Sequence, residues 1–284
     1  MTDPKTREKP RRTKARSPSR RGRAKTPDKA PRTAPAAGRG GGQELWLYGH
    51  HAVLAALRNP RRACRLLLAT EQGLAKLGPA AQRSGVEIRL ADPREIARTL
   101  PPGAAHQGVA LGVAPLPPLA LERVIAVQPA DSLFLLLDRI TDPRNFGAIL
   151  RSAVAFGVAA VIVQQRRSAE WSGAAAKAAS GALDMIPLVE VVNLARALER
   201  LREAGFRITG LDAAAPTAVE ALAPVPRRVL VLGSEGEGMR RLVAAGCDER
   251  ARLVVDPRID SLNVAVAAGI ALYLLCPRRD GAPG

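Results

Sequence analysis

Between Leu121 and Leu275 short apolar runs alternate with stretches of helical periodicity, and this restricts the fold more than any other feature of the 284-residue chain. Leu133–Leu137, Ala159–Val163, Ile186–Val189, Arg207–Leu211, Val229–Leu232 and Arg252–Val255 read as strands. Most are apolar at successive positions, as a strand covered on both faces must be. Gly147–Phe156, Ala174–Ala179, Leu194–Ala204, Met239–Ala245 and Leu262–Leu275 have helical spacing. Strand and helix in turn predict an α/β fold with a parallel sheet between helical layers. No internal repeat is present.

A smaller α/β unit is expected before it, over residues 44–114. Its strands are the run from Leu45, then Arg65–Ala69, Val86–Leu90 and Gly108–Val113; its helices are His51–Leu57, Glu71–Arg83 and Pro93–Thr99. Residues 115–120, containing Pro115-Leu116-Pro117-Pro118, read as a short stiff linker, and the large domain takes 121–284. With hydrophobic residues at 47% and aromatics at 3%, the core must be built from Ala, Leu and Val.

The net charge of +17 is unevenly placed: residues 1–43 carry 14 Lys/Arg against 3 Asp/Glu, and the remainder carries 29 against 23. The first stretch has no large apolar residue after Met1, so it is predicted to be a disordered basic tail. Such arms bind polyanions by counterion release, and the basic body points the same way, to nucleic acid. The chain lacks the apolar core of a secretory signal and any uninterrupted span for a bilayer. Cys64, Cys247 and Cys276 are odd in number and lack metal spacing, which predicts reduced thiols, no metal and a cytoplasmic setting.

Three strand-to-helix junctions carry chemistry: Asp142–Ser152, Leu232–Met239 and Ser261–Ala267. In an open α/β sheet such junctions meet at the carboxyl edge of the strands, where ligands bind. The cluster Gly233-Ser234-Glu235-Gly236-Glu237-Gly238 has neither the Lys-Ser/Thr of a phosphate loop nor the spacing of a dinucleotide fingerprint. Its two glutamates would repel a pyrophosphate and suit a cation, of which the sulfonium of S-adenosylmethionine is the natural candidate. Arg151, in the second turn of a helix starting near Gly147, offers a fork for phosphate. Ser261 is the expected cap of the last helix, and Asn263 is a polar group in an otherwise apolar first turn that must find a partner.

Together these residues resemble the SpoU/TrmH family of RNA ribose 2′-O-methyltransferases, over four-fifths of the chain. Asn145-x-Gly147 with Arg151, Gly233-x-Glu235-Gly236-x-Gly238 and Ser261-Leu262-Asn263 match its three motifs in order, and His106-Gln107-Gly108-Val109-Ala110 matches its N-terminal substrate-binding domain. The resemblance implies a trefoil-knotted methyltransferase domain of the SPOUT type, an N-terminal domain similar to ribosomal protein L30e, and a homodimer formed through the knots. It implies S-adenosylmethionine as cofactor and RNA as partner, most closely large-subunit (23S) ribosomal RNA. Gly233, Gly238, Leu253 and Leu262 would hold the cofactor; Arg151, Asn145, Glu235, Ser261 and Asn263 would form the catalytic edge. The family places its base at Arg151, but a guanidinium stays charged, so a phosphate clamp is the role expected here. One departure stands out: Leu253-Val254-Val255-Asp256-Pro257 replaces the usual Ile-Pro-Met-x-Gly. Two alternatives stay open, the same chemistry on tRNA and a non-catalytic RNA-binding or ribosome-assembly protein.

Overall fold

The computed structural model describes residues 45–82, 85–165, 173–259 and 261–276, with only the backbone of Gly173 and Ala174. The expected basic tail lies outside them. The described chain opens with β1 (Leu45–Tyr48), α1 (His50–Arg58), β2 (Cys64–Ala69), α2 (Glu71–Leu77), β3 (Glu87–Leu90), α3 (Pro93–Arg98) and β4 (Val109–Val113). These form a four-stranded sheet of order β1-β4-β2-β3, in which β4 is antiparallel to both neighbours and β2 and β3 are parallel. Thr70 caps α2 and Asp92 caps α3. The helix expected over Glu71–Arg83 stops at Leu77, because Gly78 turns to φ 57° and Pro79 has no N–H to continue the ladder.

The larger unit follows as α4 (Leu121–Val127), β5 (Ser132–Leu137), α5 (Pro143–Ala155), β6 (Ala160–Gln164), α6 (Gly173–Ala178), β7 (Leu188–Val191), α7 (Leu194–Glu203), β8 (Arg207–Leu211), β9 (Thr217–Ala218), β10 (Arg227–Leu232), α8 (Arg241–Ala245), β11 (Glu249–Arg252) and α9 (Val264–Leu275). Its seven strands lie in the order β7-β6-β5-β10-β8-β11-β9, and every pairing is parallel. Successive residues of β5 point to opposite faces. Leu133, Leu135 and Leu137 meet Ile149, Leu150 and Leu272 on one side, while Phe134 and Leu136 meet Leu194, Leu198 and Leu201 on the other. The first of these clusters continues into Leu47, Leu67 and Leu111 of the small sheet. A buried ion pair from Arg62 Nε to Asp184 Oδ1, 2.8 Å long, lies at the same junction.

Of the element boundaries that differ from the sequence reading, three in the larger unit do so for a polar reason. Helix α5 starts at Pro143, four residues early, because Asp142 caps it by accepting from Arg144 N at 2.9 Å. Strand β11 is Glu249–Arg252 and not Arg252–Val255. Its polarity is absorbed sideways: Glu249 Oε1 accepts from Thr209 Oγ1 at 2.8 Å and Arg228 Nη1 at 2.6 Å, across β8 and β10. Burial raises the Glu249 carboxyl, but these hydrogen bonds outweigh it and leave it below the ordinary glutamate range. A lowered folded value means that stability is fully present above the unfolded range and lost as pH falls through the folded one. We expect the melting temperature to fall on acidification below the ordinary carboxylate range, and Glu249→Gln to flatten that fall in a thermal-melt pH series. Helix α8 begins at Arg241 and not Met239, because the Arg240 backbone is held by Asp138.

Candidate active site

The carboxyl ends of β5, β8, β10 and β11 carry the loops that form the site. At the end of β5 Asp138 is fully buried and accepts from Arg240 N at 2.8 Å and Arg240 Nε at 2.7 Å. That carboxylate anchors the far end of the glycine loop leaving β10. The loop closes on itself, with Ser234 N donating to Gly238 O at 3.1 Å and Gly238 N to Ser234 O at 3.0 Å. Gly233 has no alternative here: a Cβ would lie 2.1 Å from the Gly238 carbonyl carbon. Across the loop mouth Arg139 pairs with Glu237.

The early start of α5 puts Asn145 in its first turn and Arg151 in its third. Gly147 faces α6, where a Cβ would fall 2.4 Å from Ala178 Cβ and 2.6 Å from Ala175 O. The N-cap of α9 is Asn263 rather than the expected Ser261: Asn263 Oδ1 accepts from Ala265 N at 3.0 Å and Val266 N at 3.3 Å. Capping with its oxygen obliges its amide nitrogen to point the other way. Asn263 Nδ2 donates to Glu235 Oε1 at 2.6 Å and to Asn145 Oδ1 at 3.1 Å. Glu235 Oε1 also accepts from Val264 N at 3.1 Å. One asparagine therefore ties together three segments up to 118 residues apart in the chain.

Beside this junction lies a cavity of about 620 Å³, the size of a small-molecule site. Gly233, Glu235, Gly238, Leu253, Ser261 and Leu262 all line it, so each expected cofactor residue and two of the expected catalytic residues share one wall system. Its other carboxylates, Asp212 and Glu237, are paired with Arg250 and Arg139. Glu235 lines the cavity and has no Arg or Lys partner among the described residues. A cationic, nucleoside-sized ligand fits that lining. The altered segment stays within it: Leu253 and Val255 line the cavity, and Asp256 turns the chain by accepting from Arg258 N at 2.9 Å and from its guanidinium.

Arg151 is placed differently. It is exposed, six residues beyond Asn145, which is about 9 Å along the helix and about 120° round it. Among the described residues it makes no hydrogen bond or ion pair, so its guanidinium is available to a ligand from outside. Sequence reasoning missed Asp138 and Arg240, which hold the loop but do not line the cavity. A lone acid closing the apolar strand Leu133–Leu137 was the signal that could have found them.

Residues 132–273 match the model of the SpoU rRNA methylase family. Residues 46–119 match that of the RNA 2′-O ribose methyltransferase substrate-binding domain. The 23S rRNA (guanosine-2′-O-)-methyltransferase RlmB of Escherichia coli K12 is 40% identical over 247 residues, 82% of this chain and 98% of that protein. The protein of the same description from Xylella fastidiosa is 36% identical over 80% of this chain and 94% of its own length. The crystal structure of the SpoU methyltransferase AviRb from Streptomyces viridochromogenes, in complex with the cofactor AdoMet, superposes with a TM-score of 0.71 at 25% identity. It covers 82% of this chain and 89% of that one. By sequence over most of its length, and by a site in which the three motifs meet, the chain belongs to the SpoU rRNA methylase family.

Proposed function

We propose that the chain transfers a methyl group from S-adenosylmethionine to a ribose 2′-OH, that of a guanosine in 23S ribosomal RNA. The observation carrying this reading is the Asn145–Asn263–Glu235 junction at the edge of a cavity in which Glu235 has no Arg or Lys partner among the described residues. Bound there, the cofactor supplies an electrophilic methyl group. Gly233, Gly238, Leu253 and Leu262 hold it, largely by main-chain groups, and Glu235 favours its positive charge. Asn145, Ser261 and Asn263 fix the edge where the ribose lies. Arg151 grips the phosphate beside the target nucleotide and steers its 2′-OH, whose proton leaves to that phosphate or to water. Alignment of this kind supplies on the order of 7–11 kcal/mol at most.

Mapping ribose methylation in 23S rRNA from cells with and without the gene tests the reading. One guanosine methylation should vanish with the gene, and an unchanged pattern would refute it. For the clamp, Arg151→Ala should slow single-turnover transfer by about 100-fold and Arg151→Lys by about tenfold, since an ammonium keeps the charge but loses the fork. Near-wild-type chemistry in both would end that role.

The remaining organisation follows the same reading. Residues 44–114 form an L30e-like substrate-binding domain, 115–120 a linker and 121–284 the methyltransferase domain. A trefoil knot in the last is supported by the path of the chain, which inserts β10 between β5 and β8, both earlier in sequence, and then returns α9 to α5. Such threading is rare. A homodimer is supported by the apolar side chains that α9 leaves exposed, Val266, Ile270, Tyr273 and Leu274. No described helix is long and apolar enough to cross a membrane; the setting is cytoplasmic. The tail, net +11 from its 14 basic and 3 acidic residues, adds non-specific grip on RNA. Deleting residues 1–43 should weaken RNA binding and flatten its dependence on salt, and an unchanged salt slope would remove the tail from the account.

A further inference from the structure

Residues 44–284 contain 27 arginines but only two lysines, Lys76 and Lys177. Both lie beside the start of α1. The Lys76 carbonyl meets His50 Nε2 at 2.8 Å. Lys177, on α6, donates from Nζ to Gln107 Oε1 at 2.9 Å, and the same oxygen accepts from His50 N at 3.0 Å. Gln107 reaches this position with a left-handed backbone, φ 56°. The amine fits because residue 49 is glycine: a Cβ there would fall 2.3 Å from Nζ and 2.8 Å from Cδ. Lysine meets Gln107 here with one compact donor on a flexible stem, where arginine would bring a planar fork of several donors. Burial lowers the affinity of this amine for its proton, as expected of a cation partly withdrawn from water.

The two ends of this contact lead to different places. The loop Ala104–Gly108, which carries Gln107, walls an open cleft of about 910 Å³ on the small sheet, together with Thr70, Lys76 and Asp92. At the other end α6 packs against α5, the helix that carries Asn145. Gly147 of α5 sits against Ala175, Ala178 and Ala179, and Asn145 is two residues earlier in the same helix. A purely structural clamp is a poor account of Lys177. The buried Arg62–Asp184 pair already joins the two sheets, whereas a partly exposed hydrogen bond contributes about 1 kcal/mol or less.

We propose that Lys177 is a positioning residue for methyl transfer, coupling RNA held against the Ala104–Gly108 loop, through Gln107, to α6 and so to Asn145. The kinetic half of this rests on the methyltransferase reading; the coupling half does not. The full chain would be compared with Lys177→Met, Lys177→Arg, Gln107→Asn and the Lys177→Met/Gln107→Asn double variant, using a 23S rRNA transcript as the probe. With Kd for S-adenosylmethionine and for RNA each within about twofold of wild type, Lys177→Met should cut the single-turnover rate at saturation by on the order of tenfold. Lys177→Arg should not restore it, because a planar fork does not reproduce the single ammonium donor held beside Gly49. Gln107→Asn should match Lys177→Met, since Asn accepts the backbone but is a methylene too short, and the double variant should be no worse than either single. Unchanged rates, multiplying losses, or losses that track Tm or cofactor affinity would overturn the proposal. Hydrogen exchange without cofactor supplies the second measurement. RNA should slow exchange of the α6 amides in the wild type but not in Lys177→Met. Equal protection in both overturns the coupling whether or not the RNA is ever methylated, while a wild type that protects α6 yet methylates nothing sinks only the methyltransferase reading.

Discussion

Replacing Glu235 by alanine should lower single-turnover methyl transfer by on the order of 100- to 1,000-fold. Glu235 Oε1 takes two hydrogen bonds, from Asn263 Nδ2 at 2.6 Å and Val264 N at 3.1 Å. Hydrogen bonds to a charged acceptor are worth about 1.5–3 kcal/mol each, and about 1.4 kcal/mol is a factor of ten. Losing both leaves the first N–H of α9 without its acceptor and frees Asn263 to turn away from Asn145. Glu235→Gln keeps an oxygen in place but removes the charge, so a loss of about tenfold is expected. A charge role also has a binding signature. In calorimetric titrations Glu235→Gln should weaken S-adenosylmethionine more than S-adenosylhomocysteine, whose thioether is neutral. Equal weakening of the two would show that the carboxylate organises the loop without sensing the ligand's charge.

Much of this site could be read in the chain because its residues sit where strands end and helices begin. The apolar runs of β5 and β10 marked the places at which Asn145 and Glu235 emerge, and a parallel sheet brings such ends to one edge. What could not be read depended on partners distant in sequence. Asn263 and Ser261 are equally good caps locally, and the choice is made by Glu235 and Asn145, which bind the Asn263 amide nitrogen. Strand β11 was misplaced because Glu-Arg-Ala-Arg has no strand pattern until Arg228 and Thr209 satisfy Glu249 from neighbouring strands. Gln107 was legible as a motif residue but not as a contact, since Lys177 is 70 positions away. The position of Arg151 was misjudged by a turn for a local reason: Asp142-Pro143 reads equally as a turn or as a capped helix start.

The stability of the assembly should depend most heavily on Asp184. Its side chain and that of Arg62 are each 2% exposed, and Asp184 Oδ1 accepts from Arg62 Nε at 2.8 Å and from Asn59 Nδ2 at 2.9 Å. Arg62 also donates to the Ala114 carbonyl at 3.1 Å, so it is held where the small sheet ends and the linker begins. Asp184→Ala removes the carboxylate paired with this buried guanidinium, and breaking a buried pair by deleting one partner costs about 3–5 kcal/mol. At about 2–4 °C per kcal/mol for a unit of this size, Tm should fall by on the order of 10 °C. The charge pair itself is a different matter, because desolvating two ions offsets most of their attraction. Arg62→Met combined with Asp184→Leu should therefore recover most of the Tm lost by Asp184→Ala, even though it discards every hydrogen bond of the pair. A double variant that melts as low as the single one would mean that the polar contacts to Asn59 and Ala114, and not the stranded charge, set the cost.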